Sequence, residues 1–423
     1  MAPSLEENEH VGEWHIAAPL DASKLQVTLV NNPKPLPMGE AIAFGKTVTD
    51  HMLRVTWTAE SGWDTPRITP YGPIVLDPVA SGLHYGFECF EGMKAYRDAA
   101  GRLRLFRPEL NAARLNRSAA RISLPAFDEA EFVKLVRMFV KIEGRWVGNG
   151  PPHSLYIRPV LVSTTASLGV SAPTSALLYV VASPATSYFS ASATALSLYA
   201  MPPSRFVRAC PGGPGASKIG GNYAPTLAAE SEARKAGCAQ VLWLSERKNS
   251  SGCAAAEEEG LRGGEVEEGP WVGEAGTMNF FAVFGRPRQH GADEVLDVEV
   301  VTPPLDGTIL PGVIRQSALE LLRQRRPAAA GAAAAAAGCG SFTVCERPVS
   351  LPELQRAAAR GQLLEAFGTG TAACVVPIGR VLWEGRWIDC KGCGSKSGIA
   401  EEVKGWLEGR MYGGEESKWS VVV

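Results

Sequence analysis

The alternation of apolar and polar residues predicts a chain that mixes α-helices and β-strands throughout its length. Short β-strands are indicated where apolar, aromatic and β-branched residues cluster between turn signals. The clearest of these runs are RLRLF (102–106), LYIRPVLV (155–162), ALLYVVA (176–182) and AQVLWL (239–244). Because such runs occur in both halves of the chain, we expect β-structure in both.

Helical spacing predicts helices between these strands. Pro108 suits the first position of a helix, where a backbone N–H would have no intrahelical acceptor. A predicted stripe follows it at helical intervals: Leu110, Ala113, Arg117, Ala120 and Leu124. Further helices are predicted over roughly 129–145, over 222–237 with Gly237 at its end, and from about Val313 onward.

The length of 423 residues allows two or three domains with large buried cores. The pattern predicts a smaller N-terminal α/β domain over 1–188, an inter-domain connection over 189–203 and a larger C-terminal domain over 204–423. Two low-complexity stretches interrupt the larger domain, an acidic and Gly-rich one at 246–270 and an Ala/Gly tract at 327–340. We predict both to be surface insertions without chemistry.

Composition narrows the function classes. Hydrophobic residues make up 45% and the net charge is −2, which favours neither a nucleic-acid partner nor a membrane. Nine scattered cysteines indicate a reducing compartment, and a lone Cys-x-x-Cys at 390–393 is weak evidence for zinc, so no metal site is predicted. The acidic, Arg-free first residues favour a cytoplasmic location, with a mitochondrial or plastid location as the alternative if the N-terminus is incomplete or processed.

Lys218 stands on unusually bare backbone, with PGGPGAS before it and Gly-Gly-Asn-Tyr shortly after. It is not a P-loop lysine, because Ser217 and Ile219 replace the required Gly and Ser/Thr. A lysine amine can form a Schiff base with the aldehyde of pyridoxal phosphate (PLP), and flanking glycines would let a flat cofactor approach the backbone. Taken alone, a lysine in such a loop is more commonly an exposed surface residue.

PLP also needs a carboxylate for its ring nitrogen, and an Arg, hydroxyls and free N–H groups for its phosphate. The sequence offers Glu274 in a Gly-bounded turn, a helix start near Val313 and a Gly/Thr turn over 367–373. None of these is specific alone.

Taken in order, ten segments resemble the branched-chain amino-acid aminotransferases, which are PLP enzymes of fold type IV. The segments are LDASKLQVTLVNNPKPLP, FGKTVTDHMLRVTW, LHYGFECFEGMKAYR, LFRPELNAARLNRSAARISLP, SLYIRPVLVSTTASLGVSAP, KIGGNYAPTLAAESEARKAGCAQVLWL, EAGTMNFF, VTPPLDGTILPGVIRQS, EAFGTGTAACVVPIG and WSVVV. The resemblance implies a two-domain mixed α/β (α+β) fold with the active site between the domains, PLP as cofactor and a homodimer. It also implies a reversible ping-pong transfer of the amino group from L-Leu, L-Ile or L-Val to 2-oxoglutarate, giving branched 2-oxo acids and L-glutamate, in biosynthesis or catabolism.

The resemblance also implies the contacts of the cofactor. The residues are Lys218 for the Schiff base, Tyr223 for the phenolic oxygen, Glu274 for the ring nitrogen, Arg114 for the phosphate, Thr277, the N–H groups of Val313 and Ile314, and the hydroxyl of Thr371. Arg117, one turn after Arg114, is the alternative phosphate ligand.

The implied substrate pocket is aromatic and apolar, as a branched side chain requires. Its residues are Tyr85, Phe90, Tyr156, Arg158, Tyr188, Thr277 and Ala372, with Leu168 and Val170 reaching the pocket of the neighbouring subunit. Strand alternation places Tyr156 and Arg158 on one face, although Arg158 also fits a structural ion pair.

Two alternatives stay open at this level. One is another fold-type IV PLP enzyme, a D-amino-acid transaminase or an aminodeoxychorismate lyase. The other is a non-catalytic family member. Ala373 and Val376 occupy the positions where some animal members carry a Cys-x-x-Cys redox pair, so no thiol switch is expected.

Overall fold

The protein is described by a computed structural model over residues 17–37, 42, 44–186, 195–246, 269–290, 293–325, 339–390 and 398–423. Within these residues the strands form two sheets, of ten and nine strands. No helix in this part of the chain is both long and apolar enough to cross a membrane. The same residues contain no cluster of three or more His, Cys, Asp or Glu side chains suited to hold a metal ion.

The first sheet is built almost entirely from the N-terminal half. Its strands are β1 (Gln26–Val27), β2 (His51–Thr58), β3 (Gly62–Trp63), β4 (Arg67–Pro70), β5 (Glu88–Phe90), β6 (Met93–Arg97), β7 (Leu103–Phe106), β8 (Ser154–Ser163), β9 (Ser175–Ala185) and β19 (Ser420–Val422). Their order is β1-β4-β2-β9-β8-β6-β7-β19, with β3 on β2 and β5 on β8. The end of the chain thus returns to the first sheet, where Ser420 pairs with Phe106.

The second sheet follows residue 195. Its strands are β10 (Leu196–Met201), β11 (Gln240–Ser245), β12 (Trp271–Ala275), β13 (Met278–His290), β14 (Asp293–Thr302), β15 (Cys339–Glu346), β16 (Leu363–Gly370), β17 (Cys374–Trp383) and β18 (Arg386–Asp389). Their order is β12-β11-β10-β17-β16-β13-β14-β15, with β18 on β17. Since β10 falls inside the predicted connection and β19 joins the first sheet, the domain bounds stay a prediction.

Seven α-helices are described in these residues. They are α1 (Ser81–Tyr85), α2 (Pro108–Arg121), α3 (Glu129–Ile142), α4 (Thr226–Lys235), α5 (Val313–Arg325), α6 (Leu351–Ala359) and α7 (Ile399–Met411). The predicted helix over 129–145 ends earlier as α-helix and continues as a 3₁₀ turn at Gly144–Trp146. Asp128 caps α3 by accepting from the N–H of Glu131 at 2.9 Å, which satisfies a free donor of its first turn.

The predicted stripe along α2 was wrong in part, since Leu110 and Ala113 are half-buried and Leu124 is buried. Arg117 and Ala120 are exposed, whereas a different set is buried: Asn111, Ala112, Arg114, Leu115, Ser118 and Ala119. The apolar members pack into the core of the first sheet, together with Phe132 and Phe139 of α3. The polar members are buried with hydrogen-bond partners: Asn111 and Arg114 donate to Glu91, and Ser118 accepts from the N–H of Lys218. A search for an apolar stripe cannot find such residues.

Candidate active site

A cavity of about 380 Å³ is lined by residues from both sheets. Most of the predicted site residues line it: Phe90, Arg114, Tyr156, Arg158, Lys218, Tyr223, Glu274, Thr277, Val313, Ile314, Thr371 and Ala372. The two sheets therefore bring together residues that are far apart in the sequence.

The backbone of Lys218 is fixed by β5 and α2. Its carbonyl accepts from the N–H of Phe90 at 3.0 Å, and its own N–H donates to Oγ of Ser118 at 2.8 Å. The amine Nζ donates to the hydroxyl of Tyr223 at 3.0 Å. On either side of Lys218, a Cβ added to Gly215 would lie 2.8 Å from the carbonyl oxygen of Thr308, and one added to Gly220 would lie 2.0 Å from Oε2 of Glu88. Lys218 itself lines the cavity.

The surroundings of Lys218 make its amine easy to deprotonate. Burial is the largest cause, and the charge of Arg114 adds to it, so that the pKa of Lys218 falls to about 7 although Glu91 opposes the change. A neutral amine near pH 7 can act both as a nucleophile and as a general base.

We expect the reaction of the apoenzyme with PLP to report this pKa. Lys218 is protonated below its pKa and neutral above it, so the rate should rise with pH and level off above about 7. Stopped-flow absorbance would measure the rate of this reaction from pH 5 to pH 10, in steps of about one pH unit. A rate that keeps rising up to the ordinary lysine value of 10.5 would contradict the lowered pKa.

Glu274 is buried at the second sheet. It lies within β12 rather than in the predicted turn, because Glu274 and Asn279 pair as β12 and β13 run antiparallel. Its Oε2 lies 2.7 Å from Nε of Arg208, and its Oε1 accepts from the N–H of Leu310 at 3.0 Å. Burial raises the pKa of Glu274, and Arg208 opposes this rise. The result is a carboxylate fixed in one orientation at the cavity wall.

A candidate anion site lies where α2 meets the start of α5. Arg114 pairs with Glu91 through Nε and Nη2, at 2.6 and 2.9 Å, and donates from Nη1 to the carbonyl of Pro311 at 3.0 Å. Although burial alone would raise it, the guanidinium holds the pKa of Glu91 below its ordinary value. The first N–H groups of α5, from Val313 on, have no intrahelical acceptors and carry the positive end of the helix dipole.

The donor set fits the phosphate of PLP. Oγ1 of Thr369 is buried at this cavity and has no hydrogen-bond partner in the described part of the chain. A Cβ added to Gly312 would lie 2.0 Å from Oδ1 of Asn279, so only glycine fits beside the start of α5. A guanidinium, helix N–H groups and a free hydroxyl are the donors that bind a phosphate group. Arg117 is exposed, which leaves Arg114 as the arginine of α2 in the cavity.

Aromatic rings and the guanidinium of Arg158 line a further part of the cavity, here called the substrate wall. Cζ of Arg158 lies 4.7 Å from the ring centroid of Phe90, and its Nη2 donates to the hydroxyl of Tyr156 at 3.0 Å. The ring of Phe44 packs against Tyr156 at 4.9 Å. Tyr156 and Arg158 share one face of β8, as predicted, and Nε of Arg158 has no hydrogen-bond partner among the described residues.

The other predicted substrate residues do not line this cavity. Tyr85, Leu168 and Val170 are 46%, 64% and 72% exposed, and the hydroxyl of Tyr85 donates to the carbonyl of Leu168. They form an apolar surface outside the cavity of their own chain. Tyr188 lies outside the described residues.

Sequence reasoning missed several residues that support the site: Glu91, Arg208, Gln240, Asn279 and Thr369. Glu91, between β5 and β6, had no local signal, because its burial depends on its contacts with Arg114 and Asn111 of α2. Arg208 had none, since its ion pair with Glu274 depends on how distant loops pack.

Known proteins resemble the chain in sequence and in fold. The family described as amino-transferase class IV matches residues 88–381. The chain is 41% identical over 410 residues to the mitochondrial branched-chain-amino-acid aminotransferase of Schizosaccharomyces pombe. The aligned residues cover 96% of this chain and 86% of that protein. It is 42% identical over 410 residues to the cytosolic branched-chain-amino-acid aminotransferase of Saccharomyces cerevisiae, covering 96% and 98%.

Solved structures show the same fold. The branched-chain aminotransferase of Thermoproteus uzoniensis with norvaline matches with a TM-score of 0.59 and 23% identity, covering 87% of this chain and 98% of that one. The T.th. branched-chain amino acid aminotransferase with pyridoxamine 5'-phosphate matches with a TM-score of 0.57 and 23% identity, covering 87% and 98%. The predicted mixed α/β fold is thereby confirmed.

Proposed function

Since this chain belongs to the class IV aminotransferase family, and within it to the branched-chain-amino-acid aminotransferases, we propose that it transfers the amino group of L-Leu, L-Ile or L-Val to 2-oxoglutarate with PLP as cofactor. The observation that carries this proposal is the shared cavity of Lys218, Tyr223 and Glu274 next to the anion site of α2 and α5. An amine with a pKa of about 7, a buried carboxylate and a phosphate site are the groups that PLP chemistry requires.

Each group of the cavity has a role in this proposal. Lys218 would hold the cofactor by its amine and, once released, would take the proton from the α-carbon of the substrate. Tyr223 would donate to the phenolic oxygen, and Glu274 would keep the ring nitrogen protonated. When bound, PLP supplies an electron sink for the substrate α-carbon.

The anion site would hold the phosphate group, away from the proton transfer. Arg114, the N–H groups of Val313 and Ile314, and the hydroxyls of Thr371 and Thr369 supply the donors. Because Arg114 is already fixed by Glu91, its guanidinium would need little reorganisation when the phosphate binds.

The residues of the substrate wall suit both substrates, the branched-chain amino acid and 2-oxoglutarate. Phe90 and Tyr156 offer apolar surface to a branched side chain. Arg158, with an unpaired Nε among the described residues, offers a cation to the second carboxylate of 2-oxoglutarate. The N–H groups near Thr371 and Ala372 would bind the α-carboxylate.

A transamination assay on purified protein tests this function. We expect a visible cofactor band and glutamate formation from 2-oxoglutarate with L-Leu, L-Ile and L-Val. Activity with D-Ala alone would favour a D-amino-acid transaminase, and pyruvate release from aminodeoxychorismate would favour the lyase. Absence of both the band and turnover would indicate a non-catalytic member.

We further propose that the chain forms a homodimer through the exposed apolar surface around Tyr85. Leu83, Tyr85, Leu168 and Val170 are large and exposed, with Val75 92% exposed. An apolar patch of this kind on a protein surface indicates a contact site. Sedimentation of wild type and of Leu168→Lys would test it: wild type should be a dimer, the variant should dissociate more easily, and a monomeric wild type would contradict the proposal.

The compartment stays a prediction. The relatives' names place them both in the cytosol and in mitochondria. Fractionation of cells that produce the native protein would test the predicted cytoplasmic location, and co-purification with mitochondria or plastids would contradict it.

A further inference from the structure

Arg107 is a buried arginine whose backbone is held in an unusual conformation. It lies directly before α2, with a φ of 47°, in the left-handed region that residues with a side chain rarely adopt. It is 7% exposed, and its N–H donates to the carbonyl of Trp419 at 2.8 Å. The fold therefore keeps this side chain in a fixed place despite local backbone strain.

The guanidinium of Arg107 reaches across to α5. Its Nη1 donates to Oε2 of Glu320 at 2.9 Å, and its Nη2 donates to Oε1 at 3.1 Å. Nη1 also donates to Oγ of Ser317 at 3.1 Å, and the ring of Trp419 covers the guanidinium at 4.4 Å. A two-point arginine–carboxylate pair fixes direction as well as distance, so this contact sets how α2 lies along α5.

A second contact joins the same helices at the cavity. Arg114 donates to the carbonyl of Pro311, two residues before α5 begins. Arg107 and Arg114 are seven residues apart, which corresponds to about 10 Å of helix. Because their partners run in the opposite direction, from Glu320 back to Pro311, the two helices are antiparallel and are joined at two levels. Leu110, which lies between Arg107 and Arg114 in the sequence, packs against an apolar cluster that includes Val313, Ala318 and Leu321 of α5.

We propose that Arg107 is a positioning residue for the anion site, acting through Glu320 to hold Arg114 in register with the first N–H groups of α5. Sliding of one helix along the other would separate the Arg114 guanidinium from these N–H groups. The inference rests on the proposed function, because it takes the phosphate of PLP as the anion.

This role predicts a phosphate-specific defect. The phosphate of PLP would bind both the guanidinium of Arg114 and the first N–H groups of α5. Pyridoxal has the same aldehyde and ring but no phosphate. If Arg107 aligns the two helices for the phosphate, loss of the Arg107–Glu320 pair weakens the binding of PLP and leaves the binding of pyridoxal nearly unchanged.

The test compares cofactor release from wild-type, Arg107→Lys and Glu320→Gln holoenzymes. Release into excess of an aldehyde trap is followed by loss of the visible band, first with PLP and then after exchange for pyridoxal. Because Glu320 is partly exposed, we expect PLP release to be about five- to tenfold faster in both variants. Pyridoxal release should change by less than about twofold.

A matched control is available on α7. Arg410 and Glu415 form a similar two-point pair, at 2.8 and 2.7 Å, and Arg410 lies 5.4 Å from the same Trp419 ring. Glu415→Gln removes this pair without touching the Arg107–Glu320 contact, and it should release PLP at the wild-type rate.

Three results would overturn this inference without affecting the proposed function. The first is an equal acceleration of PLP and pyridoxal release in Arg107→Lys and Glu320→Gln, which would indicate general loosening of the fold. The others are unchanged PLP release in these two variants, or the same acceleration of PLP release in Glu415→Gln. A wild-type protein that binds no PLP would overturn the proposed function and this inference with it. The two failures are therefore distinguishable.

Discussion

Replacement of Lys218 by alanine is expected to abolish both the visible band of the lysine-bound cofactor and turnover. The amine is the group that holds the aldehyde and the base that moves the α-proton, and the cavity offers no second lysine among its described lining residues. Loss of a positioned general base alone costs about 10²- to 10⁴-fold in rate. Absorption spectra and a glutamate-coupled assay would measure the two effects.

Two controls separate this chemistry from a folding defect. Lys235→Ala removes an exposed lysine at the end of α4 and should keep the band and the rate. A small primary amine added to Lys218→Ala should restore part of the proton transfer, because it can enter the space that the side chain leaves. A Lys218→Ala protein that kept both the band and wild-type turnover would refute the assigned role.

Replacement of Glu274 by glutamine is expected to leave PLP bound but to lower turnover by about 10²- to 10³-fold, the range found when one preorganised electrostatic group is removed. Glutamine has nearly the same shape, so the contacts of the phosphate and of Lys218 persist. The ring nitrogen would lose its anionic partner, and Arg208 would keep a buried charge without its carboxylate. Steady-state rates together with the cofactor content per chain would test this expectation.

The unpaired Arg208 calls for a matched control. Glu299 of β14 lies in the same sheet outside the cavity and pairs with Arg347 at 3.0 Å. Because Arg347 also pairs with Glu353 at 2.8 Å, Glu299→Gln should lower thermal stability by less than Glu274→Gln, and it should leave the rate per bound cofactor unchanged. Equal rates for Glu274→Gln and wild type would remove Glu274 from the proposed site.

Sequence analysis missed the residues that hold the predicted site residues in place, and it did so for one common physical reason. Lys218 and Tyr223 are close in sequence, so their hydrogen bond follows from one short segment. The Arg114–Glu91 and Arg208–Glu274 pairs join segments whose approach depends on the packing of whole elements. Local patterns carry no information about such approach, and buried charges look the same in sequence as surface charges.

Several strands and helices, the glycine-rich backbone around Lys218 and a set of motifs specific enough to indicate the family could be predicted from the order of residues alone. Periodicity and turn residues act over a few neighbours, so they can be read from the chain directly. The buried face of α2, the choice of its arginine that lines the cavity and the lowered pKa of Lys218 depend instead on how distant segments pack. These properties arise from burial and from charges brought together across the two sheets, and they exist only once both sheets have packed around one cavity.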